Sequence, residues 1–343
     1  MSKNVVPPPN ILYLHVHDAG RYVQPYGFPV ATPNLQRLAE EGVLYRQAFC
    51  GNPTCSPSRA CLLTGRYAHS NGMLGLAHRG FRLNDYRQHL CHLLRAGGYA
   101  TALAGVQHLA HLPTASVDEL GYDEILTEEN GFDAPVVKAE AFFSRVGSQP
   151  FFLSVGFASP HRNASESFDS STARPNPDYV RPPAILPDTP ETRADFADYC
   201  ASMTSVDESM GRVLGALERS GLAPNTLVIA TTDHGIAFPG MKCSLTDHGI
   251  GVMLIMRGPG GFSGGRVVED MISQVDVVPT VLALAGLPIP AHVQGVSFLK
   301  SEKPRTHVFA EVNVHASIEP ARAVRTSRWK YIRRYTDYPY VVL

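Results

Sequence analysis

The sequence predicts an α/β fold in which a mostly parallel, mixed β-sheet lies between two layers of helices. Short apolar segments typical of buried strands alternate along the chain with segments that carry helix start and stop signals. Several apolar segments run directly into polar or glycine-containing loops, as strands of such sheets do at the edge where ligands bind. The chain has 343 residues, which is enough for one large domain of this kind or two modest ones.

Four apolar segments are the clearest strand candidates, because each runs into a polar or glycine-containing loop. They are NILYLHV (10–16), YATALAG (99–105), PFFLSVGF (150–157) and NTLVIATTDHG (225–235), the last forming a strand over 225–231.

We predict helices over 32–42, 85–98, roughly 190–220, and 276–286. The first has Thr32 as its cap and Pro33 at its first helical position, and the second has Asp85 as its cap. Glycines mark the ends of the first, second and fourth helices.

Two further segments complete the predicted architecture. Residues 162–192 are rich in Ser, Pro and Asp, so we expect a long surface loop or lid there. After about residue 300, THVFAEVNVH and AVRTSRWKYIRRY alternate as strands do and predict a small antiparallel unit. The final YPYVVL stops in mid-strand, so we expect a catalytic domain over 1–305 and the start of a truncated C-terminal subdomain over 306–343.

The composition excludes several classes of protein. Hydrophobic residues make up 44% and charged residues 18%, a globular balance that excludes disorder. The net charge of −1 gives no overall field to attract nucleic acid or an anionic membrane. The start of the chain has no apolar segment of signal-peptide length, and no apolar run is long enough to span a membrane. We therefore expect a cytoplasmic protein that binds neither nucleic acid nor a membrane.

Acid–histidine pairs follow two of the strand candidates. His17 and Asp18 follow the first strand, and Asp233 and His234 follow the fourth. An aspartate at a strand end often caps a helix or forms a turn. Two such pairs at the carboxyl ends of buried strands instead favour a divalent-cation site, since carboxylates and neutral imidazoles are metal ligands.

Three other polar residues are expected near the same sheet edge. His108 follows the strand candidate at 99–105, and His161 follows the strand candidate at 150–157. Lys242 lies eight residues after His234. Taken singly, each is also compatible with a structural histidine or a surface lysine.

The stretch PTCSPSRACLLTG (53–65) sets one cysteine apart from the other five. The six cysteines include no CxxC pair, which argues against a zinc ribbon or a disulfide scaffold. Ser56 followed by Pro57 fits a cap and a first helical position, so Cys55 is expected at a helix N-terminus, where negative charge is favoured. Arg59 lies one turn further on.

The cysteine motif closely resembles the signature of the sulfatase family, C-x-P-S-R followed five residues later by Thr-Gly. Within that family the chain looks most like the heparan N-sulfatase (sulfamidase) branch. The segments that carry the likeness are CSPSRACLLTG, HSNGMLGL (69–76), TEENG (127–131), SPHR (159–162) and DHGIAFPG (233–240). The resemblance implies the alkaline-phosphatase-like α/β sandwich.

The resemblance also implies roles for the candidate residues. A maturing enzyme would convert Cys55 to formylglycine, whose hydrate attacks sulfur and then ejects sulfate. Arg59 would hold the hydrate, Lys242 would bind a sulfate oxygen, and His108 and His161 would transfer protons or bind sulfate. One divalent ion, calcium in the family, would be held by His17, Asp18, Cys55, Asp233 and His234.

The chain departs from the family pattern at two places. The family has Asp-Asp at His17-Asp18, and Asp-Asn or Asp-His at Asp233-His234. Imidazole in place of a carboxylate favours manganese, zinc or another transition ion over calcium. The family's lysine is also absent from the segment that ends in His108, and we expect Gln107, His111 or Arg162 to compensate.

The leading hypothesis is a sulfohydrolase that cleaves a sulfate ester or sulfamate, possibly of a sugar. The first alternative is a phosphodiesterase or phosphonate monoester hydrolase of the same superfamily. The second is a protein that binds a sulfated ligand without turnover.

Overall fold

The computed structural model describes residues 7–299 and 304–336, and in these it contains an eight-stranded mixed sheet and a three-stranded antiparallel sheet. The strands of the large sheet are β1 (Asn10–Val16), β2 (Val43–Phe49), β3 (Ala100–Gly105), β4 (Glu124–Thr127), β5 (Phe151–Gly156), β6 (Thr226–Thr232), β7 (Leu254–Arg257) and β8 (Arg266–Ser273). Their order is β4-β3-β5-β1-β6-β7-β2-β8. Strand β7 pairs antiparallel with β6 and β2, and the other neighbours pair in parallel, which confirms the predicted mixed sheet.

Helices cover both faces of this sheet. They are α1 (Pro33–Glu41), α2 (Cys55–Thr64), α3 (Ala68–Asn71), α4 (Leu90–Ala96), α5 (Ala134–Arg145), α6 (Pro190–Arg219), α7 (Asp247–Ile250) and α8 (Val277–Leu284). Helices α2, α4 and α8 pack in one hydrophobic core, and helices α1, α5 and α6 pack in the other. The predicted sandwich of two helix layers is therefore confirmed.

Strand β1 contributes side chains to both hydrophobic cores. Ile11 and Tyr13 point into one core, and Leu12 and Leu14 point into the other. Because successive side chains of a strand alternate between its faces, a strand covered on both sides reads as a continuous apolar run. This pattern agrees with the position of β1 inside the sheet, between β5 and β6.

The predicted helix over 85–98 is wrong as a single element. The Asp85 side chain accepts a hydrogen bond from the Arg87 amide and starts a 3₁₀ turn over Tyr86–Gln88. His89 then adopts an extended conformation, and its side chain accepts a hydrogen bond from the Cys91 amide to cap α4. A second capping side chain four residues after the first therefore divides the segment.

The predicted antiparallel unit is confirmed as a sheet of β9 (His307–Val314), β10 (Ile318–Thr326) and β11 (Lys330–Arg334). Val308, Ala310 and Val312 bury one face of β9 in the core of the large sheet. Asp247 accepts ion-pair contacts from Arg325 at 3.2 Å and from Lys330 at 2.5 Å, which ties the small sheet to α7. The segment YPYVVL lies outside the described residues, and the proposed domain boundary stays a prediction.

The segment over 162–192 has little regular structure apart from a 3₁₀ turn at Pro177–Tyr179 and lies largely at the surface, as the prediction of a long loop requires. Among the helices of the described part of the chain, none combines the length and apolar character that crossing a bilayer demands.

Candidate active site

The polar residues at four strand ends meet at one edge of the large sheet. β1 leads into His17 and Asp18, and β6, its direct neighbour, leads into Asp233 and His234. The loops after β3 and β5 bring His108 and His161 to within ring-centroid distances of 5.3 Å and 5.6 Å of His17. The carboxyl ends of parallel strands share an edge, so the predicted side chains gather there.

The carboxylate of Asp233 lies at the middle of this cluster. Its Oδ1 accepts hydrogen bonds from the backbone amides of Asp18 and His234, both at 2.9 Å. Its Oδ2 accepts a hydrogen bond from Arg59 Nη2 at 3.2 Å and lies 3.2 Å from His17 Nδ1. Burial alone raises the pKa of Asp233, but the charges of His234, Arg59 and His17 hold it well below its usual value. Asp233 is therefore ionised although it is buried.

Asp18 presents a second carboxylate to the same space. Its backbone has a φ of 48°, in the left-handed region that non-glycine residues rarely adopt. Lys242 Nζ donates to Asp18 Oδ2 at 2.8 Å, and His234 Nε2 lies 3.4 Å from Oδ1. Asp18 Oδ1 is buried and has no hydrogen-bond partner among residues 7–299 and 304–336.

The site cysteine lies at the first position of α2, which begins two residues earlier than predicted. Thr54, not Ser56, is the residue before the helix, and it has an extended conformation with no side-chain capping bond. The Ser56 hydroxyl instead accepts a hydrogen bond from the Ala77 amide at 3.0 Å, which fixes a neighbouring loop. The expectation that Cys55 lies at a helix N-terminus holds, and its sulfur is 3.3 Å from His234 Nε2.

The surroundings of Cys55 favour its thiolate form. Burial raises the pKa of the thiol, but the charges of Lys242 and His234 and hydrogen bonds from His108 and His161 bring it well below its usual value. The helix N-terminus acts in the same direction. The sulfur occupies the position that the oxygens of a formylglycine side chain would take, so an anionic oxygen there would find the same partners.

His108 and His161 differ in their readiness to hold a proton. Burial lowers the pKa of His108, against the effect of its hydrogen bond to Cys55. The hydrogen bond to Cys55 raises the pKa of His161, against the effect of burial. His161 Nδ1 donates to the Arg162 carbonyl oxygen at 2.6 Å, so the other ring nitrogen is the one available to the site. His161 is therefore the better proton donor of the two.

Arg59 lies behind the Asp233 carboxylate, beside β1. In addition to Asp233, its guanidinium donates to the Val16 carbonyl oxygen at 3.1 Å and to His15 Nδ1 at 2.5 Å. Burial and the charge of Arg59 hold the pKa of His15 well below its usual value, so this imidazole is neutral and accepts the hydrogen bond. The sequence analysis did not identify His15, because within an apolar strand it follows the pattern of a core position.

The cluster fits a divalent cation. One ligand atom from each of His17, Asp18, Cys55 and Asp233 lies within 4.8 Å of the other three. His17 Nδ1, like Asp18 Oδ1, is buried and makes no well-aligned hydrogen bond to any described residue, although it lies 3.2 Å from Asp233 Oδ2. A cation between these atoms would satisfy both of them.

His234 is oriented as a further ligand. Its Nδ1 donates to the Gly235 carbonyl oxygen at 3.0 Å, so Nε2 is the nitrogen that faces the two carboxylates. Although burial lowers the pKa of His234, the negative charges of Asp233, Cys55 and Asp18 raise it to about 9. The negative potential that holds this proton is equally suited to holding a cation.

A pocket of about 500 Å³ opens above Cys55, Asp18 and Lys242. The sequence analysis did not predict several of its lining residues, which are His78, Arg79, Glu166, Phe238 and His315. His78 stacks on His108, with ring centroids 5.6 Å apart and planes inclined by 2°. The segment HSNGMLGL ends two residues before His78, so the family resemblance pointed to this region without identifying the residue.

Of the three residues expected to compensate for the absent lysine, only Arg162 is among those that line the pocket. The Gln107 side chain is occupied within its own turn, where its carbonyl accepts from the Ala110 amide at 2.8 Å. His111 is exposed and packs edge-on against His78. Arg162 is held in place by Asp195 at 2.6 Å.

The sheet order and the cluster at its carboxyl edge define an alkaline-phosphatase-like α/β protein. The chain belongs to the sulfatase family, whose profile, described as Sulfatase, matches residues 9–287. A second profile, described as N-sulphoglucosamine sulphohydrolase, C-terminal, matches residues 241–343.

The human protein N-sulphoglucosamine sulphohydrolase is 32% identical to the chain over 317 residues, which are 83% of the chain and 62% of that protein. The chain thus spans about three fifths of the length of this curated relative.

Two solved structures share the fold. A putative sulfatase from Bacteroides fragilis has a TM-score of 0.80 and 22% identity, covering 98% of the chain and 88% of that protein. A protein in complex with its substrate D-glucosamine-2-N,6-O-disulfate has a TM-score of 0.74 and 22% identity, covering 96% and 90%.

The geometry around Cys55 leads to a prediction about its alkylation in the unconverted, metal-free chain. Because its pKa lies well below the usual value, the alkylation rate of Cys55 should rise less steeply between about pH 7 and pH 9 than that of a free thiol. Burial raises the pKa of Cys200 to about 12, so this cysteine should remain unmodified. The measurement is iodoacetamide labelling followed by peptide mass spectrometry, with the unfolded chain as control. Labelling of Cys55 that rises with pH as an ordinary thiol does would contradict this description of the site.

Proposed function

We propose that the protein is a metal-dependent sulfohydrolase whose catalytic group is a formylglycine formed from Cys55. The observation that carries this proposal is the position of Cys55 at the start of α2, facing two carboxylates, two site histidines and Lys242. A structural thiol needs none of these partners. Five of the six cysteines are buried with a raised pKa, and Cys55 is the one whose pKa is lowered.

As a hydrated formylglycine, residue 55 supplies one hydroxyl that attacks sulfur and a second whose deprotonation expels sulfate and regenerates the aldehyde. The remaining residues bind charge and move protons. Lys242, at the wall of the pocket, binds a sulfate oxygen through its ammonium group. His161 donates a proton to the leaving alcohol or amine, consistent with its raised pKa.

Arg59 acts as a positioning residue in this proposal. Its contacts with Asp233, Val16 and His15 orient the carboxylate that the cation requires, from the side away from the pocket. His108, whose lowered pKa keeps it neutral, accepts a hydrogen bond from the hydrate or binds a sulfate oxygen once protonated.

We propose that His17, Asp18, Asp233, His234 and residue 55 hold one divalent ion, which would lower the pKa of the attacking hydroxyl and neutralise sulfate oxygens. Family resemblance favours calcium. The two imidazoles favour manganese or zinc, because nitrogen ligands suit transition ions better than calcium. We therefore propose a transition ion as the physiological metal.

The proposed substrate is a sulfated saccharide carrying a sulfate ester or a sulfamate. Its support is the 32% identity with the human relative named N-sulphoglucosamine sulphohydrolase and a pocket whose rim includes Arg79 and Arg162. The further partner is a formylglycine-generating enzyme. The cytoplasmic location and the lack of nucleic-acid and membrane partners, expected from the sequence, remain predictions.

The two alternatives give different results in one assay. A phosphodiesterase or phosphonate monoester hydrolase would turn over aryl phosphorus esters faster than aryl sulfates. A binding protein would take up the sulfated compound without releasing sulfate, even after conversion of Cys55.

Turnover of sulfated compounds is predicted to depend on residue 55. Converted protein should hydrolyse 4-nitrophenyl sulfate and glucosamine N-sulfate in preference to 4-nitrophenyl phosphate, and Cys55→Ala should lower kcat by about a thousandfold or more. Cys200→Ala, which removes a buried thiol from α6, is the matched control and should retain its activity. Substantial sulfate release by folded Cys55→Ala would overturn the mechanism.

Metal preference is predicted to depend on the imidazole of His17. His17→Asp restores a carboxylate, so calcium should stabilise this variant more than it stabilises the wild type, and manganese should do the reverse. The measurement is the shift in Tm on adding each ion, with His78→Asp as control because His78 lies outside the proposed ligand set. A wild-type chain that prefers calcium as strongly as His17→Asp does would contradict the proposed role of His17.

A further inference from the structure

A second set of ligand atoms overlaps the proposed cation site. One ligand atom each from His17, Cys55 and His108 lies within 4.8 Å of the other two. This set shares His17 and Cys55 with the carboxylate cluster but replaces both carboxylates by a histidine from the loop after β3. It is therefore a nitrogen–sulfur set beside an oxygen-rich one.

The histidine that distinguishes this set has an unused buried nitrogen. Within the described part of the chain, His108 Nδ1 is buried without a hydrogen-bond partner. The residue also has a φ of 62°, a left-handed conformation that the surrounding structure must stabilise. An unpartnered nitrogen on a strained residue, 5.3 Å by ring centroid from His17, is suited to binding a ligand.

His161 lies beside this set and is not one of its ligands. The Arg162 carbonyl oxygen fixes the proton on His161 Nδ1, so the remaining nitrogen is the one available to the site. Its ring lies 5.6 Å from that of His17, nearly at a right angle. Two imidazoles and one thiolate give zinc three protein ligands and leave one tetrahedral position open.

The geometry points to a zinc site in the unconverted chain, formed by His17, Cys55 and His108 with the fourth position open to water. Zinc–nitrogen and zinc–sulfur bonds of about 2.0 Å and 2.3 Å put neighbouring tetrahedral donors about 3.5 Å apart. The atoms of His17, Cys55 and His108 lie within 4.8 Å of one another and therefore have to approach by about 1.3 Å at most. Conversion of Cys55 removes the sulfur donor, so the site belongs to the chain before conversion and does not depend on the proposed hydrolysis.

Softness of the donors separates this site from the carboxylate cluster. Thiolate and imidazole favour zinc, whereas Asp18 and Asp233 favour harder ions. His17 contributes to both sets, so in the unconverted chain zinc takes His17 away from the carboxylates. Loss of the sulfur makes His17 available to them again.

The test uses full-length chain with Cys55 unconverted, verified by peptide mass spectrometry, stripped of metal and titrated with Co²⁺. A tetrahedral site with a thiolate gives intense visible d–d bands and a sulfur-to-cobalt charge-transfer band in the near ultraviolet, and Zn²⁺ should bleach both at one equivalent. Cys55→Ser should lose the charge-transfer band, and His108→Ala should weaken Co²⁺ and Zn²⁺ affinity by about tenfold or more.

His111→Ala is the matched histidine control, since this residue lies in the same loop but outside the donor set, and it should bind Co²⁺ as the wild type does. Weak octahedral Co²⁺ spectra without a charge-transfer band in the folded wild-type chain would overturn the inference. So would a charge-transfer band that survives Cys55→Ser. The wild-type spectrum decides the question even if a histidine variant fails to fold.

Discussion

The site depends on a single buried interaction, the pairing of the Asp233 carboxylate with the Arg59 guanidinium at 3.2 Å. Asp233 follows β6 and Arg59 belongs to α2, so the pair locks the helix that carries Cys55 to the middle of the sheet. Arg59 also reaches the end of β1 through the Val16 carbonyl oxygen. One guanidinium thus fixes the relative positions of the three elements on which the site is built.

Burial makes this interaction necessary as well as useful. The side chains of both residues are at most 2% exposed, and an unpaired charge at that depth would be strongly destabilising, by about 3–5 kcal/mol when one partner of a buried pair is removed. The second carboxylate, that of Asp18, is paired with Lys242 at 2.8 Å. Each acid that can ligate a cation is therefore paired with a cationic side chain of the protein.

The sequence predicted the centre of the fold better than its periphery. Strand β1 was predicted over its full length, because burial on both faces produces an uninterrupted apolar run. Strand β2 was not predicted, since Arg46 and Gln47 interrupt its pattern where the strand reaches solvent. Strands β4 and β7 have only four residues each, too few for a periodic signal.

Short sequence motifs identified the members of the polar cluster, but they did not identify the residues that position those members. The cysteine signature and the two acid–histidine pairs led to residues that the structure brings together. His15 and His78 were missed, because their contacts with Arg59 and His108 arise from packing between segments far apart in the sequence. The predicted cap at Ser56 was wrong by two residue positions, because the Ser56 hydroxyl accepts a hydrogen bond from the Ala77 amide instead of capping the helix.

The most direct test of this account is an anomalous-diffraction map of the converted protein crystallised with Mn²⁺. The account predicts one strong peak between Asp18 and Asp233, about 2.0–2.5 Å from their oxygens, with His234 and residue 55 also in contact. Arg59 should still be paired with Asp233 behind it. A fully converted, manganese-soaked protein in which the two carboxylates share no peak, or in which the metal binds elsewhere, would contradict the account.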